Sequence, residues 1–202
     1  RVYPAAVSEG VAPMNAPVWR SGGVGGAGVR VGIIDLGFIG VTALLGSELP
    51  NQVIVKNFVE VGNDALVDGT SLHGTAVAEV IYDIAPAATF YLAKIFTDTD
   101  LQSAVDWMIA NDVDVINASI ETYNAGAGDG TGFINSLVAT AAAHGITWVA
   151  SAGDDGDRHW SGAFVDQDGN SSHEFAAGID VNAFGSGPGQ FYLLGEVPPF
   201  IK

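Results

Sequence analysis

The chain has 202 residues, 48% of them hydrophobic, no cysteine, and a formal charge of −16 from 23 Asp and Glu against 7 Lys and Arg. That length and apolar content suit one ordinary domain, or one domain plus a small module, with a sizeable core. The charge argues against nucleic acid as a partner, because phosphate binding needs clustered Lys and Arg, and the missing thiols exclude disulfides, a cysteine nucleophile and thiolate metal sites.

No stretch is apolar for long enough to span a bilayer. The start, Arg1-Val2-Tyr3-Pro4, lacks a signal-peptide pattern and reads as a mature or trimmed N-terminus. A glycine cluster, Gly22-Gly23-Val24-Gly25-Gly26, precedes the first clear strand, so it lies on the wrong side for a phosphate-cradling loop.

The first strand is the apolar run from Val31 to Ile34, which ends on Asp35. A second short strand is predicted from Gln52 to Phe58. His73 to Ile84 carries Val77, Val80, Ile81 and Ile84 at helical spacing, and Pro86 stops that helix. Thr89 to Ile95 reads as a strand. Asp100 is the predicted N-cap of a helix from Leu101 to Ala110, with Val105, Met108 and Ile109 on one face. Asp114 to Ala118 reads as a strand, Gly132 to His144 as an Ala-rich helix with Gly145 at C′, and Ile146 to Ala150 as a further strand.

Strands that are continuous apolar runs, alternating with helices, predict a three-layer α/β fold with a mainly parallel sheet covered by helices on both faces. Ligand sites in such folds lie beyond the carboxyl ends of the strands. Asp35 and the Gly153-Asp154 turn sit at such ends. After Gly156 the helical period is lost, and short runs such as Ala163-Phe164-Val165 and Gln190 to Leu194 predict a β-rich segment. The expected division is 1–156 for the α/β part and 157–202 for the start of an inserted module.

Four segments in order carry a resemblance to one family. They are Val31-Gly32-Ile33-Ile34-Asp35-Leu36-Gly37, then His73-Gly74-Thr75-Ala76-Val77-Ala78 with Ala85-Pro86, then Asp114-Val115-Ile116-Asn117-Ala118-Ser119, then Gly145 to Asp154. Together they resemble the subtilisin-like serine proteases (subtilases) over roughly residues 15–156. The resemblance implies a catalytic Asp at Asp35, a catalytic His at His73, and an oxyanion-stabilising residue at Asp154. It also implies a substrate-pairing segment at Ser119-Ile120-Glu121, peptide or protein substrates, no required cofactor, and export from the cell. Independently of family, a buried carboxylate that holds one imidazole nitrogen fixes the tautomer in which the other can take a proton from a hydroxyl.

Three departures from the family pattern stand out. The family's Gly-Thr-Ser nucleophile segment, followed shortly by Pro, is expected after the oxyanion turn. The chain's Gly69-Thr70-Ser71 instead lies just before His73, where Ser71 reads as a loop or capping residue. The nucleophile is therefore expected beyond Lys202 in a longer protein, or lost, leaving these residues inactive by themselves. Asp154 stands where the family usually has Asn. An ionised carboxylate has no donor, and removing this donor from a subtilisin costs about 10²–10³ in turnover, so slow turnover at neutral pH or an acid optimum is expected. Glu121 stands where the family usually has Gly. Two readings are open there: it narrows or charges the specificity pocket, or it faces solvent at a strand end. A non-enzymatic alternative is a pseudo-protease that binds peptides.

Asp166, Asp168 and Asn170 are spaced like the start of a calcium loop, but the Glu expected at the twelfth position is Ala177, so an acidic turn is favoured over calcium and no metal ligand is assigned. His159 and His173 flank that segment and suggest a zinc site only weakly. His144 is expected to meet the last carbonyls of its helix. Trp107 and Trp148 are expected to be core aromatics.

Overall fold

In the computed structural model, residues 7–64, 67, 71–121, 130–153, 163–170 and 172–179 are described, together with the backbone of 181–184 and 191–194. The chain divides into two compact units, Arg1–Ala152 and Gly153–Lys202.

The first unit runs α1 (Ala16–Ser21), β1 (Arg30–Asp35), α2 (Val41–Leu44), β2 (Ile54–Asn57), α3 (His73–Ile84), β3 (Thr89–Lys94), α4 (Asp98–Ala110), β4 (Val115–Ala118), α5 (Phe133–Ala143) and β5 (Thr147–Ala150). The five strands form one parallel sheet in the order β2-β3-β1-β4-β5. From β1 the chain crosses to β2 at one edge and returns to β3 beside β1, and from β4, on the other side of β1, it runs outward to β5. The order therefore reverses between β1 and β4, which is where a parallel α/β sheet opens a crevice at its carboxyl edge.

Strand parity separates the two faces. Val31, Ile33, Phe90 and Leu92 pack with Ala78 of α3 and with Phe38, Val41 and Leu49. Ile34, Tyr91, Ala93 and Ile116 pack with Leu101, Ala104, Val105 and Met108 of α4 and with Leu137 and Ala141 of α5. Both faces are thus apolar and covered, as continuous apolar strands require. Each fully buried Phe, Leu or Ile among them contributes about 1.5–3 kcal/mol relative to exposure.

The helix starts follow local chemistry. The N-cap of α4 is Thr97, not Asp100: Thr97 Oγ1 accepts the Asp100 N–H at 3.2 Å, while Asp100 Oδ2 accepts the N–H groups of Thr97 at 2.9 Å and Phe96 at 3.0 Å. Asp100 is therefore the third helical residue of a reciprocal capping box, and the helix starts one turn earlier than the apolar period alone suggests. At the other end of the unit, Gly145 follows α5 with φ 79°, a left-handed position that glycine adopts without steric cost. His144 Nδ1–H donates to the Thr140 carbonyl at 2.9 Å, as a residue at a helix C-terminus can. Trp107 and Trp148 are half-buried against the α4/α5 core. The short helices α1 and α2 carry too few residues to show an apolar period.

In the second unit, β6 (Val181–Phe184) pairs antiparallel with β7 (Phe191–Leu194), with Val181 opposite Leu194. The Ala163-Phe164-Val165 run lies outside any strand. His173 and Glu174 are buried here. His173 Nδ1 accepts the Val165 N–H at 2.9 Å, and the ring lies between those of Phe164 and Phe175 at 5.8 and 4.7 Å.

Candidate active site

Strand parity aims Asp35. It shares the face of Val31 and Ile33, the face that α3 covers, and α3 begins with His73. The Asp35 side chain is 1% exposed and the His73 side chain 53% exposed. His73 Nδ1 donates to Asp35 Oδ2 at 2.6 Å, while Asp35 Oδ1 accepts the N–H of Leu36 at 2.8 Å and of Gly37 at 3.4 Å. The carboxylate is thus fixed from both sides in a dry setting, and the imidazole keeps Nε2 for an acid–base partner.

Gly74 makes this approach geometrically feasible. A Cβ at that position would stand 2.6 Å from Phe38 Cε1, 2.7 Å from the Gly37 carbonyl oxygen and 2.8 Å from Asp35 Cβ. With glycine there, the Gly74 N–H reaches the Gly37 carbonyl at 3.2 Å. Thr75 Oγ1 donates to the Ile39 carbonyl at 3.0 Å, and the Ile39 N–H donates to the Ser71 carbonyl at 2.9 Å. These bonds tie the turn after β1 to the first turn of α3.

Ser71 lies one residue before the N-cap of α3, which is Leu72. Its Oγ accepts the backbone N–H of His73 at 3.1 Å. No hydroxyl among the described residues hydrogen-bonds His73 Nε2.

A cleft of about 370 Å³ opens beside the pair, at the carboxyl ends of β1, β3 and β4. Asp35, Leu36, Ser71 and His73 form its base. One wall comes from residues 95–98 with Leu101, and the other is Ser119, Ile120 and Glu121. Ser119 Oγ donates to Asn117 Oδ1 at 2.9 Å, and Ser151 Oγ donates to the Ile120 carbonyl at 3.1 Å, which pins the second wall to the end of β5. The structure therefore brings together five of the six residues singled out from the sequence. The sixth, Asp154, lies outside the described residues, as do Gly69, Thr70 and His159.

Sequence reasoning missed the wall formed by Phe96, Asp98 and Leu101, and the staple from Ser151. Their position directly after β3 and β5 was an available signal, since loops at strand carboxyl ends face the site.

Among the described residues no group of three His, Asp or Glu could hold a metal. The Asp166 segment folds onto its own amides: Asp166 Oδ1 accepts the Gly169 N–H at 2.7 Å and Asp168 Oδ1 the Asn170 N–H at 3.0 Å. That is the geometry of an acidic turn.

The site is thus a switch-point crevice of a parallel α/β sheet that holds a buried Asp hydrogen-bonded to a half-exposed His. The family model for the subtilases (Peptidase_S8) matches residues 26–183, and the chain belongs to that family. It is 29% identical over 171 residues to subtilisin E of Bacillus subtilis (strain 168), covering 76% of this chain and 42% of the relative. It is 29% identical over 167 residues to a subtilisin of Bacillus pumilus, covering 74% and 56%. The chain thus spans about half the length of these relatives.

Two solved structures share the fold. The crystal structure of MycP1 with the N-terminal propeptide removed gives a TM-score of 0.56 at 18% identity, covering 80% of this chain and 53% of that one. The prenylagaramide maturation protease PagA gives 0.52 at 19% identity, covering 70% and 51%.

Proposed function

We propose that the chain supplies the acid and the base of a subtilase-type serine endopeptidase. The observation that carries this reading is the 2.6 Å hydrogen bond from His73 Nδ1 to buried Asp35, with the imidazole at the base of an open cleft. Asp35 holds the tautomer and stabilises the imidazolium. His73 Nε2 takes the proton from a serine hydroxyl as that hydroxyl attacks the peptide carbonyl, then returns it to the leaving amine. By sequence, Asp154 corresponds to the family's oxyanion residue, and its carboxyl can donate only when protonated, which favours turnover in acid. The peptide lies extended along Ser119-Ile120-Glu121 and pairs with that backbone. Substrates are peptides or proteins, and the enzyme acts outside the cytoplasm.

The serine is carried by further chain of the whole protein. Such chain would find an unpaired flank at β5, which has a strand on one side only among the described residues. A second reading, a pseudo-protease that binds peptides without cutting them, draws on Asp154 and on the absence of a Gly-Thr-Ser-x-x-x-Pro sequence in the 202 residues.

The test is fluorophosphonate labelling of the protein as produced from its own gene, followed by mapping of the labelled residue, with His73→Ala as the control. A labelled serine outside residues 1–202, lost in the variant, supports the peptidase. A label on Ser71 moves the nucleophile into this segment, and no label at all favours the pseudo-protease.

A further inference from the structure

The geometry points to a cationic side chain, Lys or Arg, as the group this cleft selects from its peptide, an inference that rests on the peptide-cleft reading above. The cleft's walls are chemically divided. Phe96, Leu101 and Ile120 give apolar surface, while Asp98 on one wall and Glu121 on the other give negative charge. Among the described residues no Lys or Arg lines the cleft.

Asp98 takes no part in the cap of α4, although its charge at the first helical position complements the helix dipole. Two acids, Asp98 and Asp100, sit in the first turn of α4. The capping work falls to Asp100, whose carboxylate accepts the Phe96 and Thr97 N–H groups. Asp98 makes no side-chain hydrogen bond or ion pair among the described residues. By itself the N-terminus of α4 presents roughly half a positive charge to the cleft, which would repel a cation. Two carboxylates in that turn outweigh it, and Glu121 adds a third across the cleft.

Lys and Arg match such a site because each carries an aliphatic stem that packs on apolar walls and a charged head that reaches the rim. Carboxylates take that head through charge-assisted hydrogen bonds, bidentate in the case of Arg. An acidic or phosphorylated side chain would meet like charge instead. The formal charge of −16 on the whole chain acts in the same direction by steering cationic peptides inward.

The test uses the full chain and short fluorescein-labelled alanine peptides. A single Lys is moved through successive positions, and each peptide has a norleucine twin with the stem but not the head. Fluorescence anisotropy at low salt is expected to give, for at least one position, binding about tenfold tighter for Lys than for norleucine. That ratio is expected to collapse in Asp98→Asn, in Glu121→Gln and in high salt. Twins that bind equally at every position overturn the charge preference and leave the peptide cleft standing. A Lys preference that survives both substitutions overturns its assignment to these acids. No binding by any peptide overturns the peptide cleft and this inference together.

Discussion

At the residue scale, the direction of Asp35 is settled by parity before any side chain is considered. It is two residues on from Ile33 and four from Val31, so it must face α3. The pairing of Asp35 with His73 was legible in the sequence through the two subtilase-like motifs that carry them, a strand that ends on an acid and a helix that begins with a histidine. What sequence could not show is how closely the two elements approach. That distance is set at Gly74, where three atoms lie within 2.8 Å of a virtual Cβ, two of them on the backbone or Cβ of β1 and its turn. Neither the Gly37 carbonyl nor Asp35 Cβ can rotate away. Gly74→Ala is expected to lower unfolding free energy by about 2–3 kcal/mol, the upper range for overpacking a rigid site, and to lengthen the His73–Asp35 bond. Urea unfolding checks the first effect. The second appears as loss of the downfield imidazole N–H proton resonance. A variant as stable as the parent would show that the α3 turn can slide away from β1.

At the element scale, α3 bears a conflict among carboxyls. Asp83 is committed near its C-terminus: its Oδ2 accepts both the N–H and the hydroxyl of Ser8, at 2.6 and 2.5 Å, and Arg20 donates to its backbone carbonyl at 2.9 Å. These bonds hold the N-terminal segment and α1 against α3. Glu79 lies one turn earlier, and its carboxyl is pushed above the usual value by partial burial first, then by the like charges of Glu48 and Asp83. An acid whose folded pKa is raised costs stability when ionised, and that cost disappears as pH falls through the folded pKa. Glu79→Gln is therefore expected to raise the thermal midpoint at pH 7 and to lose that advantage by about pH 4. Solvent screening keeps the gain on the order of 0.5 kcal/mol or less. Melting curves across that range check it, and an advantage that persists at the acid end would assign it to helix propensity instead. The elements themselves were legible wherever an apolar period ran for two turns or one full strand. The start of α4 was misread because its first turn is polar: Thr97, Asp98 and Asp100 carry cap chemistry and charge, not hydrophobic pattern. The same polarity hid the cleft wall.

At the scale of the molecule, the parallel sheet is closed on its faces and, among the described residues, unpaired at the flank of β5. β1 and β3 are buried at five of six positions, whereas β5 has Thr147, Val149 and Ala150 exposed and Trp148 half-buried. It contains no charge, and Val149 is 46% exposed. An uncharged strand with an unpaired flank is a template for pairing with another chain. Against this stands the formal charge of −16, which repels a second copy over the Debye length. Salt decides between the two forces, because it screens the repulsion and leaves backbone pairing untouched. At about 20 mM NaCl, with a Debye length near 20 Å, the 202-residue chain is expected to sediment as a monomer. At about 0.5 M, where that length falls to roughly 4 Å, it is expected to associate. Val149→Lys places a charge on the exposed strand, as natural edge strands do, and is expected to keep the chain monomeric at both salt concentrations without changing its melting temperature. Association at high salt that the lysine leaves intact would move the contact to another surface. A parent chain that stays monomeric throughout would mean that side chains outside the sheet already protect the flank of β5.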